Sequence, residues 1–179
     1  MSKYGMLKKV NLVTTLTAAA IAALLFCIAV FAYIRQADYN QTWLLYLGSF
    51  AFMVVIWVHT MRDSKKRANN DESTVALVFA SHVATILGVV ISVLVSFILL
   101  SVFVPGYLEA GNTAKALEQV PANMVHDKTE GLSFIVIMAA SVINFAAGSF
   151  GGIILPFYLK RNQTRDSKTP TPLHQRGMK

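Results

Sequence analysis

Charge is scarce in this chain of 179 residues: only 14% are Asp, Glu, Lys or Arg, against roughly 25% in an average soluble domain. The shortage is concentrated. None of the four types occurs between Lys9 and Arg35, Asp38 and Arg62, Glu72 and Glu109, or Glu130 and Lys160. Cysteine is nearly absent as well. The single Cys27 excludes an intrachain disulfide framework and a cysteine-based zinc site, and within an apolar run it is expected to serve as a small buried residue. The uncharged runs also lack paired carboxylates, a metal-ligand set and a nucleophile–base arrangement, so no enzyme, metal or cofactor is expected.

What fills the uncharged runs is apolar, and each is long enough to cross a bilayer, which takes ~20 helical residues. Four such runs do not fit as core helices of one small soluble domain. The expected fold is therefore an all-α, polytopic membrane protein with four spans, at about 10–34, 42–61, 74–104 and 132–159. Residues 1–161 form this domain, and the lipid bilayer is its first partner. The third span exceeds the requirement, and Pro105-Gly106 closes it, because proline disfavours helix in the residue before it. Lys3, Lys8 and Lys9 resemble the start of a secretion signal, but the apolar run after them far exceeds a signal's ~7–15 residues. The first span is expected to stay in the mature protein.

The formal net charge of +7 raises a nucleic-acid partner. The location of the charge argues against one. Placing the N-terminus, the loop after span two and the C-terminal tail on one side gathers 13 of the 16 basic residues there, with 4 acidic ones, for a net +9. The other side holds Arg35, Lys115 and Lys128 with 5 acidic residues, net −2. By the positive-inside rule both termini are expected in the cytoplasm. The aromatic residues follow the same boundaries: Tyr33, Tyr39, Trp43, Tyr46 and Tyr107 near the outer one, Trp57, Phe157 and Tyr158 near the inner one.

The connections differ in length. Arg35 to Gln41 is a tight link, so spans one and two should form an antiparallel hairpin. The outer loop 107–131 has room for a short helix over Thr113 to Val120, capped by Asn112 or Thr113 and stopped by Pro121. The tail 162–179 carries Pro170, Pro172, basic residues and no apolar period, and is expected to be disordered. No internal repeat of the kind that builds inverted-repeat transporters is evident.

Polar and small residues inside the spans are the site candidates. Span three carries Ser81, Thr85, Gly88, Ser92 and Ser96 at steps of three or four, one narrow stripe on a helix. Span four carries Asn144, Gly148 and Gly152, with Gly148-Ser-Phe-Gly-Gly152 matching GxxxG; span one offers Ala18, Ala19, Ala22 and Ala23. Such stripes let helix backbones approach closely where lipid supplies no hydrophobic drive. Gly88, Gly148 and Gly152 are the expected packing positions. The competing view is that Ser92, Thr85, His82 and Asn144 line a polar pathway. His82 is an intramembrane ionisable group, expected either to serve such a site or to bond to a neighbouring helix. Asn144 is expected to face the bundle and bond across helices. His59 could approach His82 if spans two and three pack together, but two imidazoles with no third ligand make a poor metal site. Arg62-Asp-Ser-Lys-Lys-Arg67 is expected to act first as a topology signal, with attraction to anionic headgroups as the alternative.

A hairpin of two spans, a basic inner loop, a long third span ending near Pro105-Gly-Tyr-Leu-Glu109, an outer segment, and a last span with Gly148 to Gly152, Ile153-Ile-Leu155 and a Lys160-Arg161 stop make an ordered pattern. It resembles a bacterial four-span membrane family whose function is unknown. The resemblance implies a four-helix fold in the bacterial inner (plasma) membrane and carries no activity or site residues. The function expected is that of a non-enzymatic scaffold or accessory subunit, as a homo-oligomer or with a membrane-protein partner. A small transporter or channel subunit is the alternative.

Overall fold

The computed structural model describes residues 11–36, 41–68, 74–104 and 128–166. All its regular structure is helical: α1 (Leu12–Ile34), α2 (Trp43–Ala68), α3 (Thr74–Phe103), α4 (Lys128–Met138), a π-helical turn (Ala139–Ile143) and α5 (Asn144–Asp166). The last three follow one another without a break and make a single rod.

Helix α1 starts where Asn11 caps it. The Asn11 side chain accepts from the Thr14 N–H at 3.4 Å, and the Thr14 hydroxyl donates to the Asn11 carbonyl at 3.0 Å. This covers one of the four N–H groups that a helix start leaves without a partner. Ala18, Ala19, Ala22, Ala23, Phe26, Cys27, Val30 and Tyr33 form its buried face. With mostly methyl groups in its lower half, that face brings α2 and α3 close, and α1 packs against both. Helix α5 also packs against α2 and α3, so α1 and α5 flank a central α2–α3 pair.

Beyond the short link after α1, the chain turns back along α1. Gly48 of α2 sits where a methyl group would lie 2.6 Å from the Ala29 Cβ and 3.3 Å from the Phe26 ring. At the centre, the Phe52 ring lies over Gly88, where a Cβ would come within 2.9 Å of it. Phe26, Phe52, Ile56, Ala84, Leu100 and Val136 complete one continuous core.

Large apolar side chains cover the outside. Val13 is 74% exposed, Val102 67% and Phe134 65%, with Leu24, Ile28, Phe50, Leu94, Ile98, Phe150 and Phe157 also open. A water-soluble monomer rarely exposes contiguous apolar patches beyond a few hundred Å²; lipid tails accept such a surface. Four segments, of 23, 24, 30 and 29 residues, are long and apolar enough to cross a membrane. The chain has the make-up of a multi-pass integral membrane protein.

Several expectations shift. Helix α2 runs to Ala68, past the expected end at 61, because its last turns are charged residues that helix tolerates and headgroups solvate. The last rod starts at Lys128, inside the expected loop 107–131, and ends at Asp166, inside the tail expected to be disordered. A helix that is already nucleated extends at little further cost. The short helix expected over 113–120 and the rest of the tail lie outside the described residues. Two of the aromatics expected near the span ends pack against protein: Tyr33 is a core member, 1% exposed, and Trp57, half-buried, turns to α5. In contrast, Trp43, Tyr46, Phe157 and Tyr158 are exposed.

The glycines make a direct test of this packing. Gly48→Ala should destabilise the folded protein by about 1–3 kcal/mol through overpacking, read from thermal unfolding in micelles. Gly131→Ala, where a Cβ meets nothing within 4 Å, should be neutral or stabilising by up to about 1 kcal/mol.

Candidate functional site

The polar stripe of α3 is used for contacts with the other helices. Helices α3 and α5 run antiparallel and interlock at two steps. A Cβ at Gly148 would lie 2.5 Å from the Thr85 methyl, and one at Gly152 would lie 2.5 Å from the Ser81 hydroxyl. Gly148-x-x-x-Gly152 therefore receives Ser81-x-x-x-Thr85. The Thr85 hydroxyl donates to the Ser81 carbonyl of its own helix at 3.2 Å, so its methyl is presented to α5. Ser81 turns its own hydroxyl to α2, where it shares a buried hydrogen bond of 3.1 Å with Thr60. One turn above Thr85, Gly88 is covered by Phe52.

Gly151, next to this glycine pair, faces α2 and lies under the Trp57 indole. The indole Nε1–H donates to the Ala147 carbonyl at 3.0 Å, and its ring lies 6.2 Å from that of Phe150. Helix α5 is thus held on two sides, by hydroxyl and methyl groups of α3 and by an indole of α2.

Asn144 begins α5 immediately after the π-turn and is fully buried. It faces the bundle as expected from its sequence. Its bond runs elsewhere than expected: Nδ2 donates to the Ala140 carbonyl at 3.3 Å, within its own rod. Ser141 likewise donates to the Ile137 carbonyl at 2.6 Å. A π-turn carries one residue more than a regular turn and disturbs the ladder of backbone bonds. In lipid, backbone groups freed in this way must find partners inside the protein. Asn144 and Ser141 supply donors at this point, so their polar groups serve the backbone rather than a neighbouring helix.

His82 also bonds locally. Its Nδ1 lies 2.8 Å from the Val78 carbonyl of α3, and its ring edge lies near Gly152 of α5. The neighbouring-helix bond expected for it is replaced by this i–4 contact, and the ring is half-buried. His59 lines a cleft that His82 does not. It belongs to a group on the α2–α3 seam, with Thr60, Asp63, Ser64 and Ser81 around a narrow cleft that has no room for a water molecule. This polar seam is the feature that sequence reasoning missed. The signal was the spacing of Thr60, Asp63 and Ser64, which share one face of a helix.

The seam contains a serine, a histidine and an aspartate, the residue types of a hydrolase. The Ser81 hydroxyl shares a hydrogen bond with Thr60, and the cleft is too narrow to admit a water molecule. Among the described residues, no group of three or more His, Cys, Asp or Glu could hold a metal ion. Ser92 and Ser96 are fully buried higher on α3. Among the described residues, neither the Ser92 hydroxyl nor the Asn144 Oδ1 has a hydrogen-bond partner.

No family model matches this chain, and neither the curated proteins nor the solved structures include a similar one. The likeness to a bacterial four-span family therefore rests on the order of features alone.

The bond between Thr60 and Ser81 can be weighed by a double-mutant cycle of Thr60→Ala and Ser81→Ala. The expected coupling is about 0.6 kcal/mol, the typical value for an interhelical bond in a membrane, measured by unfolding in micelles. A coupling of zero would mean that the two hydroxyls do not meet.

Proposed function

We propose that this chain is a non-enzymatic membrane scaffold or accessory subunit, with its four helices in the bacterial inner membrane and both termini in the cytoplasm. One observation carries most of the weight: the stripe residues of α3 that would line a polar pathway are occupied by neighbouring helices. Thr85 and Ser81 abut Gly148 and Gly152, and Gly88 abuts Phe52. Ser92 and Ser96 are fully buried. A solute crossing beside these residues would have to displace the contacts that join α3 to α2 and α5.

The orientation rests on the excess of basic residues at the termini and in the loop after α2. The assignment to a bacterial inner membrane rests on the resemblance in span order. The exposed apolar surface of the four helices would be shared between lipid and a membrane-protein partner or a second copy.

Two measurements test this role together. Native co-purification from membranes should recover a stoichiometric membrane partner or a homo-oligomer, and liposomes containing the purified chain should pass no ion or small solute above the protein-free rate. The variant Gly88→Leu should lower thermal stability and the yield of assembled protein. Solute flux through the wild-type chain that Gly88→Leu abolishes without loss of folding would establish transport instead.

A further inference from the structure

The outer groove between α1 and α2 joins charged and apolar groups in a way that the packing of the four helices does not use. It is an open groove of about 620 Å³, a volume within the range of sites that hold small molecules. At one end it is polar, with Arg62, Asp63 and Lys66 of α2 opposite Asn11 and Thr14 of α1. From there its walls become apolar, with Val13 and Ile21 on one side and Val54 and Val58 on the other. Between Arg62 and Val54 the helix rises about 12 Å, so the groove runs from the end of a span toward the bilayer interior. The segment of α2 long and apolar enough to cross a membrane ends at Lys66, so the polar end of the groove lies at the end of that segment.

We propose that this groove binds an anionic phospholipid, with the phosphate at Arg62 and Lys66 and an acyl chain along Val13, Ile21, Val54 and Val58. Arg62 and Lys66 are four residues apart and share one face of the helix. Both are exposed, and basic pockets between spans at the membrane surface are suited to anionic headgroups. Asp63 stands at the same end, half-buried, and leaves the three charged groups with a balance of +1. One phosphodiester would neutralise it. The apolar walls then take the chain that a free phosphate lacks. Charge complementarity at one end and an apolar trough leading inward from it select an amphiphile with a negative head.

The test uses the full-length chain, delipidated in micelles and titrated with phosphatidylglycerol or phosphatidylcholine of the same acyl chains, with bound lipid counted by native mass spectrometry. Phosphatidylglycerol should occupy one site at least about tenfold more tightly than phosphatidylcholine. The double variant Arg62→Gln/Lys66→Gln should lose about 30-fold in that affinity, given ~1 kcal/mol for each basic residue near an anionic surface. Lys65→Gln, a change just outside the groove lining, should stay within about twofold of wild type. Val58→Trp, which fills the trough from an exposed position, should weaken binding of both lipids. Equal affinity for the two lipids would overturn the proposal. So would an equal loss in Lys65→Gln and the double variant, which would mean diffuse surface charge, or unchanged binding in Val58→Trp, which would leave the groove without a role.

Discussion

The fold depends on how closely α3 and α5 approach at Ser81, Thr85, Gly148 and Gly152. In water, helices are driven together by burying apolar surface. In a bilayer that drive is absent, because lipid tails are as apolar as leucine. Association then needs dispersion contacts at short range, and short range needs residues without bulk. The two glycines of α5 remove the side chains that would hold the backbones apart, and α3 answers with a hydroxyl and a methyl at matching steps. The same solution recurs at Gly48 against Ala29 and Phe26, at Gly88 under Phe52 and at Gly151 under Trp57. Each interface pairs an absent side chain on one helix with a filling group on its neighbour.

Several of the polar groups enclosed by this close approach are settled locally. Thr85, Ser141 and Asn144 donate to carbonyls of their own rod, and His82 sets a ring nitrogen against one. The bonds that cross between helices include those from Trp57 to Ala147 and between Thr60 and Ser81. Both join α2 to a neighbour at the level where α5 docks. The π-turn belongs to the same economy: it shifts the face of the last rod, and the side chains of Asn144 and Ser141 answer the disturbance it makes in the backbone.

Much of this was legible in the sequence. Four uncharged runs give four membrane-spanning helices, because a continuous apolar run of ~20 residues or more satisfies its backbone in lipid as a helix. The spacing of Ser81, Thr85, Gly88, Ser92 and Ser96 gives a stripe, since side chains three or four apart share a helix face. Partners were not legible. Gly148 does not announce Thr85, and Trp57 near the end of a span resembles an interfacial anchor until α5 is seen beside it. The destinations of the Asn144 and His82 bonds depend on a π-turn and on local rotamers, and neither leaves a periodic trace. The seam of His59, Thr60, Asp63 and Ser64 stayed hidden because it falls where the span ends and charged residues are expected for topology alone.

The central claim is that the α3 stripe faces protein and excludes water. Single cysteines at Ser92 and Ser96, in a Cys27→Ala background, test it most directly through their reaction with a membrane-impermeant thiol reagent in native membranes. Serine and cysteine are close in size, so the packing is preserved. The account predicts no labelling at either position under conditions that fully label a cysteine placed in the loop after α2. Labelling at Ser92→Cys or Ser96→Cys at a rate comparable to that loop control would contradict it, because water would then reach the middle of α3.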